Sequence, residues 1–576
     1  MSSTILIYNR GEIALRAARS AKACNLESVI ILQEGDFSNL LEKNCDKVIY
    51  SDHKSIYTDL NYLDHFLTDN SIDFLYPGYG YLSEDPKLEI LCRKHNVCFL
   101  GPNQHCLELL SDKKRAGELF NSWGINTLNI KTPKSSDYPL MLKAAMGGGG
   151  RGNLIVDDPQ FLEESLSKLK KKSIQLFQND TILFERYLPT ARHIEIQAFA
   201  TDQFVSIIGS RDCSLQINYQ KVIEEGPISK ETLEKVQLLY PSIEKGLKDI
   251  GYKGLGTIEF LWDSERLEIY FLEMNTRIQV EHTVTEELLS VNEKVNLVEK
   301  QIQIFQDSAD LTHDLSSVKN LKEIGHAINL RIYAVNTNDN FKPEQGKLHF
   351  VEIPNHVRFD HTITVNERLS SVFDPLLGKL VSTGNNRIEC INNAIKDLKT
   401  IKVHGVKTNK YFLLETLNDV NFQNNKHTIS YLENKINEKQ SIKLVNLQEI
   451  RLLFNEKNLQ EKALYKDFTV TLAANGKLWI ENNETLELRV EDFYPSITRG
   501  EKSNISLEHV TSPVTGVVRE VTRRAFDNVN KGDIILTIES MKMFFEVEAP
   551  KAGTLQEFSL KAGSNVNSGE ILIRID

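Results

Sequence analysis

The first hundred residues alternate short apolar runs with amphipathic stretches. "TILIYN", "SVIILQ", "FLYPGYG" and "VCFLGP" read as buried strands. The opening "STILIYNRGEIALRAA" reads as strand, glycine turn and helix. This rhythm predicts a doubly wound parallel sheet, and glycine or proline follows several strands, where such sheets bind ligands. From about Lys114 to Ala200 comes a second unit containing "MGGGGRG", and from about Thr201 to Lys435 the chain is rich in strands, several strictly alternating. Residues 436–505 differ. A helix-like stretch, "NLQEIRLLFNEKNLQEKAL", precedes strands joined through an Asn-Gly turn in "FTVTLAANGKLWIEN", which suggests a small connecting domain. "RGEKSNIS", Arg499 to Ser506, is polar and linker-like.

The tail contains an internal repeat. Pro513, Gly516, Val518 and Glu520 recur as Pro550, Gly553, Leu555 and Glu557, each 37 residues on, and "NVNKGDII" recurs as "NVNSGEIL" at the same offset. Two copies of one short β unit predict a pseudo-twofold sandwich or flattened barrel. Lys542, within "IESMKMFFEVEAP", lies between the copies, where a hairpin is expected. A solvated turn lysine is the common fate of the residue type. The repeat and the placement favour a lysine that is presented.

The totals narrow the class. The chain has 576 residues, enough for several domains, and a formal charge of −11, so it carries no global bias toward nucleic acid or an anionic membrane. No apolar run is long enough to span a bilayer. With a strand read immediately at the N-terminus, no signal or transit peptide is expected. Seven scattered cysteines form neither a metal-type pair nor a disulfide framework, so a reducing, cytoplasmic compartment is expected.

Two stretches carry candidate chemistry. In "KAAMGGGGRGN", Lys143 to Asn153, four consecutive glycines free the backbone to approach a phosphate, although a flexible linker is the alternative. Further on, "GTIEFLWDSERLEIYFLEMNTRIQVEH" reads as a hairpin turning near Asp263–Arg266, with Glu259 and Glu273 roughly opposite each other. If the second strand stays extended, Glu273, Asn275, Arg277, Gln279 and Glu281 share one wholly polar face. A half-solvated strand is the plain reading, but solvated faces favour interchangeable residues, and these are carboxylates and amides in a row. Glu259, Glu273 and Asn275 supply hard oxygen ligands suited to Mg²⁺ bridging nucleotide phosphates. Arg277 is then a cation beside a candidate general base, Glu281.

"NRGEIA", "PGYGYLSE", "FERYL", "RHIEIQ", "RDCS", "QKVIEE", "EMNTRIQVEH" and "FDPLLGKL" occur in the order seen in biotin carboxylases of the ATP-grasp fold, over about residues 4–435. "E-S-M-K-M" resembles the attachment site of biotinyl carrier domains; lipoyl domains usually place Asp before the lysine and Ala after it, where this chain has Met541 and Met543. Together the chain resembles the α subunit of acyl-CoA carboxylases, with α/β and α+β domains in series. The implied domains are a Rossmann-like N-terminal domain (1–113), an ATP-grasp domain (114–320, lid about 130–200), a C-terminal biotin carboxylase domain (321–435), a linker or reduced subunit-docking domain (436–505) and an all-β biotinyl domain (506–576).

The resemblance also implies roles. Lys113 and Lys143 hold ATP phosphates under a lid containing Gly149 and Gly150. Glu185, Arg186 and Leu188 belong to the adenine-binding stretch, and His193 and Gln216 to the nucleotide site. Glu259, Glu273 and Asn275 bind Mg²⁺ or Mn²⁺; Lys221, Arg277, Gln279 and Val280 bind bicarbonate. Glu281 is the base, Arg358 contacts biotin, and Lys542 carries biotin covalently. The implied reaction passes through carboxyphosphate. The implied partners are a biotin protein ligase and a separate carboxyltransferase (β) subunit in an oligomer, with no nucleic acid and no membrane.

The sequence departs from the pattern at Tyr76, Met146, Ile217–Tyr219, Thr283 and Val335. Tyr219 stands where the family has a nucleotide-contacting histidine. A second reading, a biotinylated carrier or scaffold with a degenerate ATP-grasp half, rests on that stretch. A third is a different ATP-grasp ligase with a lipoyl-like appendage.

Overall fold

The computed structural model describes residues 3–34, 36, 38–145, 152–177, 179–289, 295–306, 318, 322–370, 373–439, 462–465, 468–472, 478–482, 509–514, 516–540, 543–566 and 569–576. Gly149, Gly150, Met541, Lys542, the "RGEKSNIS" stretch and most of 436–505 lie outside these residues.

The N-terminal sheet is five-stranded and parallel, in the order β3-β2-β1-β4-β5: β1 Thr4–Ile7, β2 Glu27–Gln33, β3 Lys47–Ser51, β4 Phe74–Tyr76 and β5 Cys98–Phe99. Gly11, at φ 65°, turns β1 into helix α1, Gly11–Ala23. Ile13, Ala14, Ala17, Ala18 and Ala21 share one buried face of α1, the helical period the sequence predicts. That face joins a core to which Leu255, Ile278, Leu289 and Val298 also contribute, so α1 is packed toward the later elements.

A small antiparallel sheet, β7-β6-β8, follows: β6 Leu140–Ala144, β7 Asn153–Val156 and β8 Ile182–Arg186. The main sheet has eight strands, every neighbouring pair antiparallel. Its order is β13-β12-β9-β10-β11-β14, then Leu376–Gly384 and Arg358–His361. The strands are β9 Arg192–Ala200, β10 Val205–Ile217, β11 Gln220–Gly226, β12 Gly254–Asp263, β13 Glu268–Asn275 and β14 His326–Tyr333. This sheet runs without a break from residues expected in the ATP-grasp domain into residues expected in the C-terminal domain. Asn218 and Tyr219, at φ 50° and 62°, form the two-residue turn between β10 and β11, where both central residues need positive φ. The departure at Tyr219 therefore sits at a hairpin tip, where its side chain is half exposed.

Two expectations change. The polar strand ends at Asn275; residues 276–281 run irregularly into a helix, His282–Leu289. An alternating face cannot extend along them, and their polar groups converge by other means. In the connecting region, Lys462–Leu464, expected at the end of a helix, belong to a strand, Lys462–Tyr465, paired with Phe468–Leu472. The latter pairs with Leu478–Asn482, as the Asn-Gly pattern predicts.

The tail shows the twofold of its repeat in its pairing. Gly516 pairs with Val566, and Gly553 pairs with Val529, the same pairing displaced by 37 residues with the partners exchanged. A Cβ added at Gly516 would lie 2.1 Å from the Glu539 carbonyl oxygen, and one at Gly553 would lie 2.1 Å from that of Asp576, again 37 residues apart. Each half thus needs a glycine where its first strand crosses its last. Ile534–Ser540 and Met543–Glu548 pair antiparallel up to Ser540 opposite Met543, flanking Met541 and Lys542.

Candidate active site

Four adjacent strands place one rung of charges across the main sheet. Glu273 on β13 faces Glu259 on β12, which faces Glu195 on β9, which faces Arg211 on β10. Like charges directly opposite are unfavourable, and Glu195, Glu259 and Arg211 are buried. Cations resolve the conflict. Lys113, the first residue of helix Lys113–Ser122, reaches Glu273 Oε2 at 2.5 Å. Lys221 on β11 sits against Glu195, 3.0 Å from Glu259 Oε1 and 2.7 Å from Glu281 Oε1. Arg211 is fully buried; it donates to Glu195 and Gln197 as well as to Gln279 Oε1 at 3.2 Å. His193 lies with Nε2 3.0 Å from Glu259 Oε2 and Nδ1 2.8 Å from Gln216 Nε2.

The irregular segment after β13 closes over this rung. Asn275 and Gln279 each donate to Glu259 Oε1, at 2.8 and 2.7 Å. Arg277 donates through Nε to Glu84 Oε2 at 3.0 Å and through Nη2 to Asn275 Oδ1 at 3.1 Å. Glu84, from the "PGYGYLSE" loop, also accepts the Thr276 N–H at 3.0 Å. Glu281 is buried, with Oε1 on Lys221 and Oε2 3.0 Å from Arg331.

Electrostatics follow from this arrangement. Burial opposes ionisation of Glu281, but the charges of Lys221, Arg331 and Arg211 outweigh it and hold the carboxyl well below the usual range. Glu259 is likewise lowered against burial by Lys221 and His193, and Glu273 by Lys113. Burial disfavours His193 charge, yet Glu259 and Glu195 push its pKa up to about 9.

Ionised, closely facing Glu259 and Glu273, with the Asn275 carbonyl beside them, form an oxygen-donor set that fits a hard divalent cation. On the small sheet, Lys143 pairs with Glu185 at 2.5 Å. Arg186 turns outward, with Nη1 3.0 Å from the Tyr270 hydroxyl, and Leu188 packs among Leu128, Ala191, Leu261 and Tyr270. Arg358 lies in a separate charge group, 2.5 Å from both Glu286 and Glu287 and 3.3 Å from Asp360. Glu286 and Glu287 belong to the helix that begins just after Glu281.

The structure thus gathers Lys113, His193, Gln216, Lys221, Glu259, Glu273, Asn275, Arg277, Gln279 and Glu281 into one network. Glu195, Arg211, Glu84 and Arg331 join it without having been singled out. For Glu195 a signal existed: "RHIEIQ" alternates His193, Glu195 and Gln197 with isoleucines, the pattern of a strand turning polar groups toward a site.

Four family models match in sequence order: "Biotin carboxylase, N-terminal domain" over 1–107, "Carbamoyl-phosphate synthase L chain, ATP binding domain" over 126–310, "Biotin carboxylase C-terminal domain" over 329–434 and "Biotin-requiring enzyme" over 508–575. Such a series defines an ATP-dependent enzyme joined to a biotin-type domain. The biotin carboxylase of Halalkalibacterium halodurans is 30% identical over 459 residues, covering 76% of this chain and 98% of that protein. The mitochondrial methylcrotonoyl-CoA carboxylase subunit alpha of Dictyostelium discoideum is 31% identical over 71% of this chain and 60% of its own length. Among solved structures, the biotin carboxylase domain dimer of Hydrogenobacter thermophilus 2-oxoglutarate carboxylase, in complex with MgADP, ADP and bicarbonate, superposes with a TM-score of 0.68 at 29% identity, covering 75% of this chain and 98% of that one. The chain belongs to the biotin carboxylase family: it is a biotin carboxylase fused to its own carrier domain, and its reaction is the ATP-dependent carboxylation of biotin. Among the described residues, no helix is long and apolar enough to cross a membrane.

Proposed function

We propose that this chain performs the first half-reaction of an acyl-CoA carboxylase. With MgATP and bicarbonate it carboxylates biotin held on Lys542, and a separate carboxyltransferase subunit then takes the carboxyl group to an acyl-CoA. The observation that carries the chemistry is the Lys221 ammonium held between Glu281 and Glu259, beneath the segment that carries Arg277, Gln279 and Val280. The similarity to a methylcrotonoyl-CoA carboxylase α subunit supports the acyl-CoA setting.

Bicarbonate is a weak nucleophile. Glu281, kept ionised by its cations, takes its proton as the oxygen attacks the γ-phosphorus of ATP, giving carboxyphosphate and ADP. Lys221 and Arg277 hold the anion and oppose its charge. Lys113 and Lys143 hold the phosphates: on nucleotide binding each exchanges its carboxylate, Glu273 or Glu185, for phosphate oxygen. Glu185, Arg186 and Leu188 line the adenine side, with His193 and Gln216 beside the nucleotide. Gly149 and Gly150 lie in the stretch that covers the phosphates and keeps water from carboxyphosphate. Glu259, Glu273 and Asn275 would hold Mg²⁺ or Mn²⁺, which would supply positive charge against the developing phosphoryl charge. Biotin, on Lys542, would supply the ureido nitrogen, which loses its proton and takes the carboxyl group as carboxyphosphate breaks down and phosphate leaves. Arg358, on the strand Arg358–His361 and paired with Glu286 and Glu287 of the helix that follows Glu281, orients it. Residues 436–505 connect body to carrier and provide the docking region for the carboxyltransferase subunit, in a cytoplasmic oligomer biotinylated by a biotin protein ligase.

The test supplies ATP, Mg²⁺ and labelled bicarbonate to the purified, biotinylated chain. Label should reach protein-bound biotin and should not reach acetyl-, propionyl- or methylcrotonyl-CoA until a partner subunit is added. Labelled acyl-CoA from the chain alone would overturn the division of labour. Absence of bicarbonate-dependent ATP turnover would favour a carrier with an inactive ATP-grasp half.

A further inference from the structure

Residues 276–281 are fixed from outside the hairpin that leads into them. His282 Nδ1 lies 2.7 Å from the Gln279 carbonyl oxygen, and Lys379 Nζ lies 3.0 Å from the Val280 carbonyl oxygen. A carbonyl can only accept, so the imidazole proton is on Nδ1. His282 is completely buried. Burial, then the charges of Lys379 and Arg16, keep its pKa far below the ordinary histidine value, so the ring has this one N–H to give. Lys379, on the strand Leu376–Gly384, is also completely buried and is ion-paired with Glu12 of α1 at 3.0 Å.

A trans peptide points its N–H opposite to its C=O. The Gln279 and Val280 carbonyls belong to the peptides whose N–H groups are those of Val280 and Glu281. Clamping two successive carbonyls from behind therefore turns two successive amides to the front. Among the described residues, neither the Val280 nor the Glu281 N–H donates to a protein acceptor. The helix His282–Leu289 begins directly after them and adds the positive end of its dipole. Two free amides in succession at such a point make a cradle for a small anion.

We infer that His282 and Lys379 are positioning residues that hold the Val280 and Glu281 amides toward a small carboxylate-type anion, bicarbonate on the functional reading above. The inference rests on that reading for the identity of the anion, and on the two clamped carbonyls for the roles. Lys379 links α1 to this loop, so the N-terminal domain sets the geometry of an anion site carried by another part of the chain. Neither side chain touches the reacting atoms.

The test separates bicarbonate from nucleotide. In His282→Leu, and in the double variant Lys379→Met with Glu12→Gln, which leaves no buried charge unpaired, KM for bicarbonate should rise about tenfold or more, the loss expected when hydrogen bonds to buried carbonyls disappear. KM for ATP should stay within about twofold in the same preparations. His282→Asn, whose amide can donate from near the Nδ1 position, should recover most of the bicarbonate affinity. Parallel rises in both KM values, an unchanged bicarbonate KM, or no recovery in His282→Asn would overturn the inference. If the variants do not fold, the wild-type chain decides. With MgADP present, bicarbonate should slow hydrogen exchange at the Val280 and Glu281 amides. Unchanged exchange, in a chain whose ATP turnover does require bicarbonate, defeats the clamp alone. Turnover indifferent to bicarbonate defeats the clamp and the functional reading together.

Discussion

Lys221 Nζ lies 2.7 Å from Glu281 Oε1 and 3.0 Å from Glu259 Oε1. One ammonium therefore ties the candidate base to a candidate metal ligand, and the proton-transfer and phosphate halves of the site cannot be tuned independently.

Glu281→Gln tests the base. Carboxylation should fall about 10²–10⁴-fold, the usual range when a general base is lost, while calorimetric titration shows nucleotide still binding. Near-normal turnover would remove Glu281 from the mechanism.

Glu273→Gln tests the metal set. Lys113 now neutralises Glu273 at 2.5 Å, so the amide removes a ligand and frees a cation. Half-saturation with Mg²⁺ should move to higher concentration, by about tenfold for the loss of one charged ligand in a site of this kind. An unaltered Mg²⁺ curve would place the cation elsewhere.

Lys542→Arg, co-expressed with biotin ligase, should show no biotin adduct by intact mass. Lys542 alone combines the methionine-flanked motif with the joint of the repeat. A persisting adduct would reassign the attachment site.

The carrier's two crossings predict paired defects. Gly516→Ala and Gly553→Ala each drive a Cβ into a backbone carbonyl at 2.1 Å. Each should cost about 1–3 kcal/mol by overpacking, lowering the carrier's calorimetric transition in the full chain by a similar amount. If only one of the two is destabilising, the halves do not share their packing as their pairing implies.

Glu323 gives a pH-dependent outcome. Burial pushes its carboxyl up to about 7, only partly opposed by its hydrogen bonds from Ser210. Below about pH 4.5 the group is protonated folded or unfolded, and it has no effect. As pH rises toward 7 the unfolded chain loses this proton first, so the folded state is progressively disfavoured, and the cost is complete above 7. Glu323→Gln, which does not titrate, should therefore raise Tm relative to wild type more at pH 8 than at pH 5. An equal shift at both values would mean that Glu323 is not the titrating group.

The parts legible in the sequence were those set by local rules. The turn near Asp263–Arg266 marked the hairpin, but its register continued along the strands would set Glu259 opposite Leu272; a shift between Glu259 and Phe260 brings Glu259 opposite Glu273. The 37-residue offset foretold the carrier's pairing. The parts that were not legible depend on distant partners. β13 stops at Asn275 because the next amide goes to Glu84, nearly two hundred residues away in sequence. Arg211 and Glu195 lie on strands whose adjacency no local pattern states, and a fully buried arginine contradicts the usual rule for its type. β3, Lys47–Ser51, is an edge strand of mixed polarity and carries no clear apolar run.

The unbroken main sheet separates ancestry from architecture. Separate family models match the segments ending at 310 and beginning at 329, yet β11 and β14, in those two segments, are hydrogen-bonded neighbours. A gene cut there would leave two raw strand edges, each a template for aggregation. Recombination among relatives must therefore carry both segments together. A chimaera joined at 310–329 needs matched register from both parents, whereas among the described residues the tail's strands after 508 pair only with one another.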